Sequence, residues 1–282
     1  MPKPNCGFAN QISMNKTLLK SDFTVFIILF LFVVLLRQFT VSQMLAAGID
    51  SYYVHSGFKI CVNILLAAIS IYFIRKNNLQ ELAGLSKVKV KRAYLLLFPL
   101  LYLTIINALF LDDISEENLW LNLFVSGIYC LSVGLSEELT LRGFIQSFLI
   151  NRFGSSKKNI VIVIFASAAF FGILHLVKFD KGLYGEISQL FFATFIGVMF
   201  GVVLLITKRI YPLIIIHAAI DFVAKLDSMG NPAAAQISNP TSLTNSIATS
   251  LIVLPCLLYA IYYIWKTDLL KIVKNNTSGN PL

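Results

Sequence analysis

Eight stretches of mostly apolar residues are the feature that most constrains this chain. A hydrocarbon core about 30 Å thick is crossed by roughly 20 apolar residues in an α-helix, so each stretch predicts one transmembrane helix. With 57% hydrophobic and 13% charged residues, the chain cannot fold as an ordinary water-soluble globule. We expect an all-α, polytopic membrane protein, a bundle of about eight transmembrane helices. The predicted segments are 23–46, 57–74, 93–111, 119–141, 160–177, 187–207, 210–225 and 247–265.

Lysine and arginine concentrate in alternate loops. They precede the first predicted helix and follow the second, fourth, sixth and eighth, whereas the loop at 112–117 is acidic. By the positive-inside rule, the basic loops and both termini lie in the cytoplasm. This predicts a multi-pass cell-membrane protein in which 1–22 and 266–282 are cytoplasmic tails and 23–265 form one transmembrane domain. The net charge of +9 then reflects topology and attraction to anionic lipid, not nucleic-acid binding.

A pair of glutamates near the end of the fourth predicted helix is the first candidate site. Glu138 and Arg142 are four residues apart, with the acid on the N-terminal side, which favours an intrahelical ion pair. Glu137 faces elsewhere on the helix and has no such partner, so it is free to act as a general base. The alternative is that both acids mark the cytoplasmic end of the helix while Arg142 snorkels to the interface.

Two further polar elements lie in separate apolar segments. Phe171 precedes His175 by one helical turn, and a lone buried histidine can also serve simply as a hydrogen-bonding group between helices. His217 and Asp221 are four residues apart and therefore share a helical face. Such a pair suits zinc or a catalytic histidine that an acid orients. The alternatives are a bond that only joins helices, or an Asp221–Lys225 pair near the outer surface.

The three elements together form the motifs EExxxR, FxxxH and HxxxD, in that order. With them the chain resembles the CAAX protease and bacteriocin-processing family of intramembrane proteases, also called the abortive-infection family. The resemblance covers roughly 119–224, which we take as the catalytic core. It implies that Glu138 and Arg142 orient the site beside Phe171.

The resemblance also implies roles for four candidate catalytic residues. Glu137 corresponds to the water-activating glutamate and His175 to its partner over the same water. His217 and Asp221 correspond to the residues that stabilise the oxyanion, although the prenyl-protein branch carries Asn where this chain has Asp221. An ionised Asp cannot donate a hydrogen bond, so Asp221 is protonated, orients His217 or ligates a metal. The family is described both as metalloproteases and as glutamate proteases, so Zn²⁺ bound by these four residues is one alternative.

The helix spacing argues against one part of this arrangement. At about 1.5 Å per residue, His175 and Glu137 would miss each other by roughly 10 Å unless a helix tilts, kinks near Gly134 or Gly172, or ends elsewhere. We nevertheless expect them to meet, because the motifs require it. A GxxxG pair, Gly197 and Gly201, predicts close helix packing.

The sequence as a whole predicts an intramembrane endopeptidase whose site opens towards the cytoplasm. Its partners would be the lipid bilayer and a peptide or membrane-protein substrate, with peptide processing or bacteriocin self-immunity favoured over prenyl-protein maturation. The sequence assigns no oligomeric state. Two alternatives stay open: a proton- or metal-coupled transporter, which would also carry Glu, His and Asp at bilayer depth, and a non-catalytic immunity or scaffold protein.

Overall fold

The structure, a computed structural model, describes residues 6–114, 116–177, 182–233 and 241–277. Within these ranges all regular structure is helical, as the sequence predicted. A 3₁₀ turn precedes α3 and another follows α6, at Ala93–Leu96 and His175–Val177. Glu138–Gln146, between α4 and α5, is a π-helix, here called the π segment. The helices are α1 Cys6–Ala46, α2 Tyr52–Lys76, α3 Leu97–Leu109, α4 Leu119–Glu137, α5 Ser147–Phe153, α6 Lys157–Leu174, α7 Gly182–Thr207, α8 Tyr211–Val223, α9 Leu243–Lys266 and α10 Leu269–Thr277.

Helix length and hydropathy confirm a polytopic membrane protein. Among the described residues, six spans are long and apolar enough to cross a bilayer. Two shorter apolar helices, Ala93–Leu109 and Tyr211–Val223, occupy the third and seventh predicted segments. The six longer spans are Ser21–Ala46, Tyr52–Lys76, Leu119–Phe153, Lys157–Val177, Gly182–Thr207 and Leu243–Lys266.

Several predicted boundaries differ from the structure: α1 begins at Cys6, inside the expected N-terminal tail, and two further differences concern the ends of predicted elements. The fourth predicted helix was expected to end near residue 141, but the chain continues through the π segment and α5 to Phe153. The expected C-terminal tail contains α10, whose Leu269 and Val273 are buried where the helix packs on α6 and α7. In both places polar residues suggested that the helix ends, whereas packing against helices distant in sequence keeps the chain helical.

The loops gather on two opposite faces of the bundle. On the first, Arg209 Nη1 donates hydrogen bonds to the carbonyls of Ser86 and Val88, each at 2.9 Å. On the second, the amide of Ala233 donates to the carbonyl of Asp50 at 2.7 Å. The acidic loop at 112–117 lies on this second face too, where the amide of Asp112 donates to Asp227 Oδ2 at 3.4 Å. We name the first, which carries the loop at 77–92, the basic face, and the second, which carries the acidic loop before α4, the acidic face.

The centre of the bundle is the C-terminal half of α7, which packs between α6 and α9. Every residue from Val198 to Ile206 is at most 3% exposed. A separate group of helices forms where α4 packs between α2 and α8. The two groups join at the π segment, on which α2, α6 and α7 all pack. This junction positions the candidate site.

Candidate active site

The candidate site lies where α4 passes into the π segment. Glu137 is the last residue of α4, and Glu138 is the first residue of the π segment. All nine residues of the π segment are buried, and Ser70 and Thr140 share a hydrogen bond of 2.8 Å that ties it to α2. A π-helix bonds each residue to the fifth along, which widens the turn; such turns are frequent at functional sites. No local pattern in the sequence predicted this π-helix.

A buried ion-pair network is built on one oxygen of Glu138. Its Oε1 atom accepts hydrogen bonds from Arg142 Nη1 at 2.9 Å and from His217 Nδ1 at 2.8 Å. The expected Glu138–Arg142 pair is thus present. Arg142 is only 3% exposed, so it does not snorkel to the interface. Since desolvated charges are stable only when paired, each member of this network depends on the others.

Two aromatic rings hold the guanidinium of Arg142 from the α6 and α7 side. The guanidinium carbon lies 5.0 Å from the ring centre of Phe171 and 5.6 Å from that of Phe200, both within cation–π range. Gly197 leaves the space for this arrangement, because a Cβ there would lie 2.9 Å from Ala168 Cβ and 3.4 Å from Arg142 Nη2. The predicted packing role of the GxxxG pair therefore extends to the charged network.

The two ring nitrogens of His217 face three carboxylates. An ionised carboxylate only accepts hydrogen bonds, so Nδ1 is the donor to Glu138. The other nitrogen, Nε2, lies 3.6 Å from Glu137 Oε2 and 3.9 Å from Asp221 Oδ1. The first bond fixes the ring, and the second nitrogen faces the pair of acids.

A glycine brings these residues together. A Cβ at Gly134 would lie 2.7 Å from the carbonyl oxygen of Ile214 and 3.2 Å from the amide of Ala218. Only a glycine lets α4 approach the backbone of α8 this closely, one helical turn before Glu138 and beside His217. No spacing in the sequence predicted the Glu138–His217 bond, although Gly134 was a signal that could have indicated a close helix contact at this point.

His217 and the two acids beside its Nε2 atom are more exposed than the Glu138–Arg142 pair. The side chains of Glu137, Asp221 and His217 are 30%, 25% and 12% exposed, whereas Glu138 is fully buried. Lys225 follows the end of α8 by two residues. The alternative Asp221–Lys225 pair stays a prediction, whereas Asp221 does lie beside His217.

His175 lies beside Phe171, directly after α6. It begins the 3₁₀ turn after α6, and its ring centre is 4.8 Å from that of Phe171, the ring that covers Arg142. Gly172 lets α6 lean on α7, since a Cβ there would meet Thr194 Oγ1 and the carbonyl of Leu190. The imidazole 3.6 Å from Glu137 is that of His217. The expected meeting of Glu137 and His175 over one water stays a prediction.

The donor set does not favour a metal site. In the part of the chain that the structure describes, no three His, Cys, Asp or Glu side chains are placed to hold a metal ion. His217 offers only Nε2, because Nδ1 is bonded to Glu138. Zinc bound by Glu137, His175, His217 and Asp221 stays a prediction.

Comparison with known protein families gives a match over the part of the chain that contains the candidate site. Residues 96–223 match the family model described as Rce1-like, type II CAAX prenyl endopeptidase Rce1-like. This region runs from the 3₁₀ turn before α3 to the end of α8 and contains the EExxxR, FxxxH and HxxxD motifs. No curated protein and no solved structure matches the chain.

Proposed function

Because its Rce1-like domain makes this chain a member of the CAAX protease and bacteriocin-processing family of intramembrane endopeptidases, we propose that Glu137 activates the hydrolytic water. The observation that carries this proposal is the 3.6 Å approach of Glu137 Oε2 to His217 Nε2, next to the buried Glu138–Arg142 pair. A partly exposed carboxylate beside a fixed imidazole provides a base and a donor around one reacting carbonyl.

The reaction follows from these positions. A water hydrogen-bonded to Glu137 loses a proton to the carboxylate while its oxygen attacks the carbonyl carbon of the scissile peptide bond. The carbonyl oxygen gains the negative charge, and protonated His217 donates to it from Nε2. Glu137 then gives its proton to the leaving nitrogen as the C–N bond breaks, which yields a carboxylate and an amine. General acid–base groups of this kind contribute roughly 10²- to 10⁴-fold each.

The supporting residues have distinct roles in this proposal. Glu138 and Arg142 are positioning residues that hold the His217 ring through Nδ1. Asp221, beside Nε2, stabilises the protonated imidazole. His175 contacts the same water from the α6 wall. The substrate is a peptide or protein associated with the membrane, and peptide processing or self-immunity in a bacterial cell membrane is the finer assignment that we propose.

The test is a substitution of the base that preserves its shape. Glu137→Gln should lower the cleavage of cellular peptides by roughly 10²- to 10⁴-fold, while the protein is still inserted and extracted as the wild type is. The readout is comparative peptidomics of membranes from cells that express either variant. Glu116→Gln, in the acidic loop, is the matched control and should cleave normally. Unchanged cleavage by Glu137→Gln overturns the proposal and favours a scaffold. If the wild type cleaves no peptide and Glu137→Gln abolishes an ion flux that the wild type supports, a transporter is favoured.

A further inference from the structure

An arginine of α1 lies within the membrane-spanning part of the bundle. The spacing of Phe26, Phe30, Val33 and Arg37 puts them on one face of the helix, and the three apolar side chains of this face are at most 8% exposed. Arg37 is 16 residues from the start of the span Ser21–Ala46 and 9 residues from its end, so both ends are at least about 13 Å away along the helix. A charged residue at this depth is costly and is generally retained for a function.

A buried asparagine holds the guanidinium of Arg37 near the middle of the membrane. Arg37 Nη1 donates a hydrogen bond to Asn63 Oδ1 at 3.3 Å. Asn63 is 1% exposed and is itself fixed, because its Nδ2 donates to Ser132 Oγ at 3.0 Å. Asn63 is next to the middle residue of α2, Tyr52–Lys76, which places the guanidinium about 15 Å from either edge of the hydrocarbon core. Arg37 therefore does not snorkel to the interface.

The positive charge of Arg37 has no carboxylate partner among the described residues. The ion pairs in this part of the chain are Lys76–Asp22, Arg142–Glu138 and those of His217, and none includes Arg37. A guanidinium carries five N–H donors in a planar fork that matches a carboxylate, and Asn63 is the one side-chain acceptor that the described residues give it.

A second cation lies one helical turn from this asparagine. Lys59 and Asn63 are four residues apart on α2 and therefore share a helical face. Lys59 Nζ lies 6.0 Å from the ring centre of Tyr129, on α4. The two cations make this part of the membrane interior positive, which favours an anion there.

We propose that Arg37, held by Asn63, binds a carboxylate of the peptide substrate inside the membrane and so determines substrate specificity. A lipid phosphate stays at the headgroup level, about 15 Å from Asn63, whereas a peptide bound at Glu137 lies close to this depth. Ser132 precedes Glu137 by five residues, about 7.5 Å along α4. In an extended peptide the carboxylate therefore lies at least about two residues from the scissile bond. The identity of the ligand rests on the proposed function, whereas the anion site does not.

Binding of a small apolar carboxylate tests the anion site without catalysis. The probe is N-acetyl-trileucine with a free carboxylate, compared with its C-terminal amide, on the full chain in nanodiscs of neutral lipid. Thermal unfolding at increasing probe concentration gives both dissociation constants. The acid should bind about 10- to 100-fold more tightly than the amide, because hydrogen bonds to charged groups are strong. Arg37→Met should abolish this preference. Lys76→Met is the matched control, because it removes the same charge where the side chain is 45% exposed, and it should keep the preference.

An isosteric change in the asparagine sharpens this test. Asn63→Asp puts a carboxylate where the amide oxygen already accepts from Arg37. It should lower the preference for the acid at least about tenfold although the arginine is still present. Equal binding of acid and amide by the wild type overturns the anion site, and so does an unchanged preference in Arg37→Met.

Substrate selection is tested on a synthetic peptide from the set that the wild type cleaves, with each carboxylate replaced in turn by its amide. Arg37→Met should raise KM about 10- to 100-fold for the acid form that the site selects, with little change in kcat, and should leave the KM of the matching amide unchanged. Equal KM values for wild type and Arg37→Met on every acid form overturn the substrate assignment.

Two other results also overturn the substrate assignment while they keep the anion site. If phosphatidylglycerol added to the nanodiscs abolishes the preference for the acid, the ligand is a lipid phosphate. If Arg37→Met changes the oligomeric state, the ligand is a carboxylate of a neighbouring chain. Because probe binding needs no activity, it remains informative even if Glu137→Gln disproves the proposed base.

Discussion

The two halves of α7 belong to one apolar helix but have different environments. Every apolar side chain from Val198 to Ile206 is at most 3% exposed, whereas Leu183 and Ile187 are 60% and 45% exposed. Hydropathy alone does not distinguish these positions, since Gly182–Thr207 is a single candidate membrane span. What differs is the packing: Phe200 in the C-terminal half lies against Arg142 and His217, whereas Leu183 and Ile187 in the N-terminal half lie at the surface of the bundle. One helix therefore contributes both the structural centre of the bundle and part of its apolar outer surface.

The largest effect should come from the Glu138–Arg142 ion pair, against which the buried half of α7 packs through Phe200. Arg142→Met removes the cation that Glu138 and two aromatic rings surround, and leaves a buried carboxylate uncompensated. We expect a loss of about 3–5 kcal/mol in the free energy of unfolding, measured by denaturant titration in detergent micelles. The double variant Glu138→Gln with Arg142→Met should regain much of this loss, because neither charge is then buried alone. A single-variant loss below about 1 kcal/mol would mean that the pair is solvated.

A matched pair of truncations in α7 sharpens the comparison directly. Leu204 is fully buried, and Ile187 is 45% exposed. Leu204→Ala should cost about 2 kcal/mol, near the low end of the range for core truncations, because lipid is itself apolar and mainly packing contacts are lost. Ile187→Ala should change stability by less than about 0.5 kcal/mol. Equal losses in thermal unfolding experiments would contradict the difference between the halves.

The close approach of α4 and α8 predicts a comparable or smaller effect at one glycine. Gly134→Ala puts a Cβ 2.7 Å from the carbonyl oxygen of Ile214, so the helices must separate, at a cost of about 1–3 kcal/mol. Separation also moves His217 away from Glu138, so cleavage should fall more than stability does. Gly57→Ala is the control, because a Cβ there meets nothing within 4 Å. If both variants cleave equally well, the helix contact does not position the histidine.

The smallest expected effect concerns the ring that α7 contributes to the network. Phe200→Leu keeps the bulk at a position beside both Arg142 and His217 but removes the aromatic face. Loss of one desolvated cation–π contact should lower stability by about 1 kcal/mol. Phe124→Leu, on the exposed side of α4, should leave stability unchanged in the same unfolding assay. A larger loss at Phe124 would indicate that aromatic bulk in general, and not the contact with Arg142, is being measured.

Much of the helix layout could be predicted from the sequence. Hydropathy located the eight apolar segments, and four-residue spacing predicted the Glu138–Arg142 pair. These features are local, since each depends on residues within one or two helical turns. The predicted end near residue 141 was wrong because the charge on Arg142 looked like a helix terminus. The compensating groups, Phe171 and Phe200, come from two other helices.

The part of the site that the sequence did not predict is the contact between segments far apart in the chain. Glu138 and His217 are separated by 79 positions in sequence, and no local spacing relates them. The resemblance implied that Glu137 and His175 are partners, which stays a prediction, and it did not indicate the approach of Glu137 to His217 that the structure shows. Side-chain spacing predicts which residues share a helical face, but the angle at which helices cross is set by small residues such as Gly134 and by the π segment.

The wide turn of the π segment limits the lengths that this stretch of the gene can encode. Bonding to the fifth residue accommodates one residue more than an α-helix would. Loss of one codon between 138 and 146 would let the chain relax to ordinary α-helical bonding, so α5 would keep its orientation relative to α4, while the buried side chains of the π segment would shift against α2, α6 and α7. The segment would still span the membrane, but the guanidinium of Arg142 would be displaced from the rings of Phe171 and Phe200. We therefore expect an in-frame deletion of a single codon there to yield a protein that inserts into the membrane but does not cleave its substrate.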